Sequence, residues 1–301
     1  MGVMTGTISD QTCTGCGACA AVCPSELIAW EPRTKARFTP EHASLCIACG
    51  QCMAACPEEA LTVGDLDYHR DFAPWPGQQA DEAGMMGLMA TRRSIRQFKD
   101  KPVDRETCQR LLDMMATAPM GFPPHTVEVT LVRGREVMDQ VAALLHQQYR
   151  DLLPKLDNPI VKFIIRRAAG AADYNSVMLN LKPLLPLMVQ VFEQTPRRNK
   201  YTYDAPAMLL LHAPKDMAEH TVDGHILASW ATLAIHSLGL GSCWLGVVEP
   251  MVNRSPQLRS LVGLPEGHEV VASLVFGHPR NRYRRVMRRR FPAVHWVGDR
   301  D

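Results

Sequence analysis

The chain has 301 residues, 46% of them hydrophobic, and a formal net charge of +2 at pH 7. The length allows about two domains with packed cores, and the balanced charge argues against a protein built to bind nucleic acid. No run of about 18 uncharged apolar residues occurs, so we expect no membrane span. The first ten residues lack the basic and apolar regions of a signal peptide, which predicts a cytoplasmic protein with reduced cysteines.

Eight of the ten cysteines form two copies of one spacing, Cys-x2-Cys-x2-Cys-x3-Cys-Pro, and the second copy lies 33 residues after the first. This spacing is typical of bacterial iron–sulfur proteins, in which the fourth cysteine of a run ligates the other cluster. We therefore expect two [4Fe–4S] clusters. Their expected ligand sets are Cys13, Cys16, Cys19 and Cys56 for one cluster, and Cys46, Cys49, Cys52 and Cys23 for the other.

Zinc and disulfides are the alternatives for these cysteines. Zinc sites usually combine two separated cysteine pairs, and not a run of three plus one that ends in proline. Disulfides require an oxidising compartment, and nothing in the sequence directs the chain to one. The small spacer residues Gly15, Gly17 and Gly50 also favour iron–sulfur loops, because they let backbone N–H groups approach the sulfurs.

Residues 1–64 form the first predicted domain, a ferredoxin-like module of two short β-rich halves, each built on one cysteine run. Its formal charge is −3, from six acidic and three basic residues. Residues 65–84 contain Pro74, Pro76 and Gly77 together with several charges. This composition predicts a linker.

From residue 85 onward the pattern changes to helices alternating with strands. Asp104 is typical of the N-cap of an amphipathic helix, and residues 225–238 predict a long apolar helix. Residues 135–200 are expected to be a helical insertion that could act as a lid. Strands are predicted at residues 127–132, 207–211 and 270–276.

Segments of this second region resemble, in the same order, the motifs of the nitroreductase family of FMN proteins. Arg92 to Phe98 resembles the RRSxRxF motif of that family, Ala118 to Gly121 its APSG loop, and Gly239 to Gly246 its GLGSCWxG segment. The whole chain is similar to a ferredoxin–nitroreductase fusion. The resemblance implies an α+β fold: a two-cluster ferredoxin-like domain, then an α/β domain over residues 85–301. The central sheet of that domain would be mixed, mostly antiparallel and flanked by helices.

The resemblance also implies a second cofactor, FMN, and the residues that hold it. Arg92 and Arg96 would bind the phosphate and the pyrimidine oxygens, because guanidinium groups match planar and phosphate acceptors. Backbone groups near Leu245 and Gly246 would face flavin N5. The expected set is Arg92, Arg93, Ser94, Arg96, Pro119, Met120, Gly121, Cys243, Leu245, Gly246, Arg288 and Arg289.

Two features depart from simple expectation. After Gly121 the chain reads Phe-Pro-Pro-His where the family usually continues with Asn and Gln-Pro-Trp, so the wall beside the flavin ring differs, and His125 becomes a candidate proton donor. Residues 280–301 contain eight arginines and two aspartates. We interpret them as a solvated tail with one or two FMN contacts and not as a nucleic-acid site, since the total charge of the chain is near zero.

Together these patterns predict an oxidoreductase that passes electrons from two [4Fe–4S] clusters to FMN and then to a small electron-poor organic acceptor. The acceptor would be a nitroaromatic, a quinone or an activated alkene, and the donor reduced ferredoxin or NAD(P)H. Relatives of this kind are homodimers. Other flavin chemistry, such as dehalogenation or oxidation, and a non-catalytic electron carrier or redox sensor remain alternatives.

Overall fold

A computed structural model shows how the chain folds, and it describes residues 6–39, 45–121, 126–195, 197–217 and 220–298. The chain divides into two compact units. The N-terminal unit extends to Gln79 and includes Met120 and Gly121, whereas the C-terminal unit comprises the remaining described residues from Ala80 onward.

The N-terminal unit consists of short strands and short helices. Its elements are β1 (Gly6–Ile8), α1 (Ala18–Ala21), β2 (Ile28–Ala29), β3 (Arg37–Phe38), α2 (Gln51–Ala54), β4 (Leu61–Val63) and α3 (Tyr68–Asp71). Strand β1 pairs with β4 and β2 pairs with β3, both antiparallel. Helices α1 and α2 begin 33 residues apart, as do β2 and β4. The duplication predicted from the cysteines is therefore repeated in the backbone.

The apolar core of this unit is small. Met53, Leu61 and Val63 are buried in it, together with Cys19 and Cys52 from the two cysteine runs. A core of this size stabilises a domain only weakly by itself.

The predicted linker contains regular structure. Helix α3 lies within residues 65–84, and its N-cap residue Asp67 accepts hydrogen bonds from the N–H groups of His69 and Arg70. The following helix begins at Glu82. The prolines and glycine between these helices do mark an irregular stretch. The composition of the whole segment, however, did not predict the short helix α3.

The C-terminal unit is larger and combines helices with one sheet. Its helices are α4 (Glu82–Thr91), α5 (Arg105–Met115), α6 (Arg135–Leu152), α7 (Pro159–Ser176), α8 (Leu185–Glu193), α9 (His220–Ser237), α10 (Glu249–Arg254) and α11 (Pro256–Leu261). Its strands are β5 (Glu128–Arg133), β6 (Ala207–Pro214), β7 (Gly241–Trp244) and β8 (His268–Gly277). A 3₁₀ turn (Leu153–Lys155) and a π-helical turn (Val177–Leu181) flank α7.

The four strands form one antiparallel sheet in the order β5-β6-β8-β7. A parallel bridge between Ser94 and Ser242 extends it at the β7 edge. The expected mixed, mostly antiparallel sheet flanked by helices is thus confirmed. Strand β7 was not predicted, because four residues with a glycine at the start give no periodic signal.

Both faces of the sheet are covered. Met208 and Leu210 pack in a core with α6 and α8, whereas Leu209 and Leu211 pack in a second core with α5 and α9. Because β6 is buried on both sides, its sequence is continuously apolar instead of alternating. The other predicted elements are present as well, including the Asp104 N-cap, whose Oδ1 accepts from the N–H of Thr107 at 2.7 Å.

Residues 135–200 are helical, as expected, but part of this stretch belongs to the core. Leu145 and Tyr149 of α6 and Leu185 of α8 are almost completely buried. Helix α7 is broken at Gly170, where φ is 81°. Any lid function would therefore fall to α7 and the turn after it, since α6 and α8 support the sheet.

Candidate functional site

The N-terminal unit gathers its eight cysteines around two cavities. Cys13, Cys16, Cys19 and Cys56 line one cavity. Cys46, Cys49, Cys52 and Cys23 line the other. Each cavity thus receives three cysteines from one run and the last cysteine of the other run, which is the grouping expected from the spacing.

The backbone around the two cavities repeats with the same offset of 33 residues. Gly17 and Gly50 precede α1 and α2 with φ values of 77° and 71°, which glycine adopts without steric cost. The N–H of Leu27 donates to Cys23 Sγ at 3.4 Å, and the N–H of Ala60 donates to Cys56 Sγ at 3.2 Å. Equivalent N–H groups therefore point at equivalent sulfurs in both halves.

The cavities suit a cationic metal centre better than free thiolates. Burial raises the pKa of the Cys52 thiol to about 11 and also raises the pKa of Cys19. A thiolate in such surroundings needs a nearby positive charge, which coordinated iron supplies. The grouped sulfurs, the sulfur-directed N–H groups and the tight glycine turns therefore fit two iron–sulfur clusters.

An aromatic ring covers the glycine turn of each half. A Cβ on Gly17 would lie 2.6 Å from the ring of Trp30, and one on Gly50 would lie 3.1 Å from the ring of Phe72. Trp30 is fixed by a hydrogen bond of 2.8 Å from its Nε1 to the carbonyl of Gly15. The second cover comes from the segment predicted to be a linker, and its sequence signal was the aromatic pair at positions 68 and 72.

In the C-terminal unit, the arginine-rich motif runs as an extended segment along β7. The N–H of Ile95 donates to the carbonyl of Ser242 at 2.8 Å. Gly241 makes this approach possible, because a Cβ there would lie 2.4 Å from the side chain of Ile95. Two of the family-like motifs, distant in sequence, therefore lie side by side.

This pairing forms a cavity of about 450 Å³, called here the motif cavity. Its polar groups are the guanidinium of Arg92, the indole of Trp244 and several hydroxyls. The complete lining is Met89, Arg92, Ser94, Ser229, Thr232, Leu233, Ser242 and Trp244. Arginine and hydroxyl donors of this kind suit the phosphate and carbonyl oxygens of a planar cofactor.

Arg96 lies in a different place from Arg92. It lines a basic cavity of about 500 Å³ together with Arg197, Arg198, Lys200 and Arg280. The guanidinium carbon of Arg96 lies 5.9 Å from the ring centre of Tyr203. This stacking holds Arg96 away from the motif cavity, so the structure does not bring these two predicted arginines together.

The remaining predicted contacts are scattered. Cys243 and Leu245 are buried, and the guanidinium of Arg93 donates to the carbonyl of Arg285 at 3.4 Å. Pro119, Arg288 and Arg289 are exposed. Met120 and Gly121 belong to the N-terminal unit, and His125 lies outside the described residues.

A third cavity, of about 420 Å³ and called here the apolar cavity, is lined by Gly246 and by residues that the sequence analysis did not assign to the FMN site. Tyr149, Glu249 and Arg254 contribute polar groups to it. Burial raises the pKa of Glu249 to about 7. A glutamate three residues after a family-like segment was the available signal, but the rest of the cavity lining comes largely from elsewhere in the chain.

His212 and His225 differ in their surroundings. His212 contacts Thr130 and His268 at 3.0 Å each, and burial lowers its pKa. His225 borders the apolar cavity and lies edge-on to Trp244, with 5.5 Å between ring centres.

Helices long and apolar enough for a membrane span are absent from the part of the chain that the structure describes.

Comparison with known proteins supports the resemblance to a ferredoxin–nitroreductase fusion. Residues 89–278 match the nitroreductase family profile, and residues 12–60 match that of the 4Fe-4S dicluster domain. An FMN reductase (NAD(P)H) of Bacillus subtilis is 25% identical over 194 residues, 64% of this chain. The chain spans only 65% of the length of that relative.

Two solved structures resemble the fold. A nitroreductase with bound FMN from Bacteroides fragilis aligns with a TM-score of 0.54 at 17% identity, over 73% of this chain and 100% of that one. Another, with bound FMN, from Desulfitobacterium hafniense aligns with a TM-score of 0.50 at 22% identity and the same coverage. At these identities the likeness concerns the fold.

Proposed function

Because the chain belongs to the nitroreductase family and carries a 4Fe-4S dicluster domain N-terminal to its nitroreductase region, we propose that it is an iron–sulfur flavin reductase. Electrons would pass from two [4Fe–4S] clusters to FMN and on to a small electron-poor organic acceptor. The observation that carries the proposal is the presence, in one chain, of two four-cysteine cavities and a cavity built from two nitroreductase motifs.

The proposed clusters would be held by the two cysteine sets named above, each completed by the last cysteine of the other run. The proposed FMN site is the motif cavity. Arg92 would hold the phosphate by charge-assisted hydrogen bonds, and Ser94 and Ser242 would donate to flavin oxygens. Because a β-bridge joins these two serines, their positions are fixed before the cofactor binds.

Bound clusters transfer single electrons, and bound FMN exchanges single electrons or hydride, so the two together connect a one-electron donor with a two-electron acceptor. The chain itself contributes orientation and exclusion of water. Ile95 and Phe98 are buried and anchor the segment that carries Arg92 and Ser94. Trp244 forms the wall of the motif cavity next to β7.

We also propose that NAD(P)H or reduced ferredoxin is the electron donor, that the protein is cytoplasmic and that it forms a homodimer. The name of the Bacillus subtilis relative supports NAD(P)H. A dimer is supported by the scatter of predicted FMN contacts over separate cavities and exposed positions, because a second chain could complete the site.

The acceptor reaction can be tested with the intact protein purified without oxygen. NADH and reduced ferredoxin are supplied separately, and the loss of a nitroaromatic, a quinone or an activated alkene is followed by product analysis. The proposal expects reduced products with at least one donor. Halide release or a net oxidation would identify other flavin chemistry, and a protein that stays reduced with every acceptor would indicate an electron carrier.

The FMN site can be tested by Arg92→Ala. Loss of a charge-assisted hydrogen bond of about 1.5–3 kcal/mol should weaken FMN binding roughly 10- to 100-fold, measured as flavin retained after gel filtration. Arg105→Ala, at an exposed position on α5, is the matched control and should keep its flavin. Equal flavin in both variants would place the cofactor elsewhere.

A further inference from the structure

The apolar cavity has the composition of a binding site for a small, uncharged organic molecule. Six of its lining side chains are aliphatic: Leu152, Leu156, Ile165, Val177, Leu181 and Leu185. They come from the helical stretch between β5 and β6. Its volume of about 420 Å³ lies in the range typical of small-molecule sites, which are mostly apolar with a few polar groups for orientation.

The polar groups lie where the cavity meets the turn after β7. Gly246 and Glu249 belong to that turn and to the start of α10. Glu249 Oε1 accepts a hydrogen bond of 2.9 Å from the N–H of Ser273, and the Ser273 hydroxyl lies 3.4 Å from the same oxygen. The carboxyl group is therefore held in a fixed position at the edge of an apolar space.

The surroundings of Glu249 favour its protonated form more than water does. Burial raises its pKa to about 7, although hydrogen bonds from Ser273 and Trp244 act in the opposite direction. The other titratable or charged groups on this cavity are Tyr149 on α6, His225 on α9 and Arg254 on α10. The Tyr149 hydroxyl donates to the carbonyl of Val247 at 2.7 Å, so it is occupied by the backbone.

Trp244 connects this cavity to the proposed FMN site. Its side chain lines the motif cavity, lies near the Glu249 carboxyl and packs edge-on against His225. Gly246, which the family resemblance places at flavin N5, lines the apolar cavity. A molecule in the apolar cavity would therefore lie beside the residues expected to face the reactive edge of the flavin.

We propose that the apolar cavity binds the organic acceptor, a quinone, and that Glu249 is the proton donor for its reduction, an inference that rests on the proposed function. The overall reaction is quinone + NAD(P)H + H⁺ → hydroquinone + NAD(P)⁺. The bound cofactors would supply two electrons and one proton to one quinone oxygen. The Glu249 carboxyl gives the second proton to the other oxygen, becomes a carboxylate and is reprotonated from water.

The proton role predicts a specific pH dependence. A proton donor must be protonated to act. The rate of quinone turnover should therefore be highest below the pKa of Glu249 and should fall as the pH rises through about 7. In Glu249→Gln, turnover at pH 6 should fall about 100-fold, which is the usual contribution of a general acid, and the decline above pH 7 should disappear. Gln keeps an oxygen that can accept from Ser273, so the local fold is preserved.

Ferricyanide provides the control acceptor, because it takes one electron without a proton and is too highly charged for the cavity. With the same donor and equal flavin content, the ratio of the quinone rate to the ferricyanide rate should be about 100-fold lower in Glu249→Gln than in the wild type. A Glu249→Gln variant that keeps both the quinone rate and the alkaline decline would overturn the inference. If the wild type reduces neither acceptor, the proposed function fails instead.

The location of the acceptor can be tested by filling the cavity. Leu181→Trp should raise the KM for 1,4-naphthoquinone at least tenfold by occupying the space, and it should change the KM far more than it changes kcat. Leu184→Trp is the matched control, because Leu184 is exposed and lies outside the cavity lining. A KM that does not respond to Leu181→Trp, or that responds equally to both variants, would place the quinone elsewhere.

Discussion

The two units of the chain build their sites in opposite ways. In the N-terminal unit the eight cysteines lie in two short runs, and local turns at Gly17 and Gly50 bring together three of the four cysteines of each cavity. In the C-terminal unit the cavity residues come from the ends of distant elements, and two large cores hold those elements in place. The first unit therefore depends on its cofactors for stability, whereas the second depends on packing.

Loss of a cluster cysteine should produce the largest difference in stability between the two units. Cys52→Ala removes one ligand from a cavity in a small core, so we expect iron to be lost and the N-terminal unit to unfold. Hydrogen exchange followed by mass spectrometry should show full exchange across residues 6–79 and unchanged protection in β6 and β8. If the N-terminal amides stayed protected without iron, the N-terminal unit would not depend on its cofactors for stability.

Cys108→Ala is the control for that experiment. Cys108 is also buried, but on α5 among apolar side chains of the C-terminal unit. It should cost only about 1 kcal/mol of stability, since a small side chain leaves a small cavity, and the iron content should not change.

A core substitution should have the reverse effect. Leu111 on α5 is completely buried in the core that α5 shares with α9 and one face of the sheet. Leu111→Ala should lower the free energy of unfolding of the C-terminal unit by about 2–5 kcal/mol, measured by urea denaturation followed through Trp fluorescence. Iron content should stay at the wild-type value, and a parallel loss of iron would show that the units unfold together.

Glycine substitutions should have smaller, opposite effects in the two units. Gly17→Ala places a Cβ 2.6 Å from Trp30 at a φ of 77°, and should destabilise the N-terminal unit by about 1–3 kcal/mol. Gly87→Ala lies inside α4 with no atom within 4 Å of the new Cβ, and should stabilise that helix by up to about 1 kcal/mol. Thermal unfolding of the iron-loaded protein distinguishes the two variants. A similar loss of stability in both would contradict the different roles given to Gly17 and Gly87.

The same contrast explains what the sequence could predict. Cysteine spacing is local, so the grouping around two cavities could be predicted from the sequence alone. Helix α5, the long helix α9, the helical character of residues 135–200 and the three longer strands followed from local sequence patterns, whereas helices α1 to α4, α10 and α11 did not. Fold class and family followed from short motifs taken in order.

The rest depends on tertiary geometry that one-dimensional patterns do not contain. Arg92 and Arg96 share a motif but enter separate cavities, because Tyr203 holds Arg96. Glu249 was not predicted as a site residue, because the apolar cavity that it borders is lined mostly by residues from the distant stretch between β5 and β6. The cover over Gly50 comes from Phe72, beyond the duplicated cysteine runs, so the duplication did not predict it.

Cofactor content is the most direct test of the account. We propose quantifying iron, acid-labile sulfide, zinc and FMN in the same anaerobically purified sample. The account predicts about eight iron and eight sulfide per chain, four of each for every cluster, together with bound FMN. Zinc in place of iron, or a protein that retains no flavin after reconstitution, would contradict it.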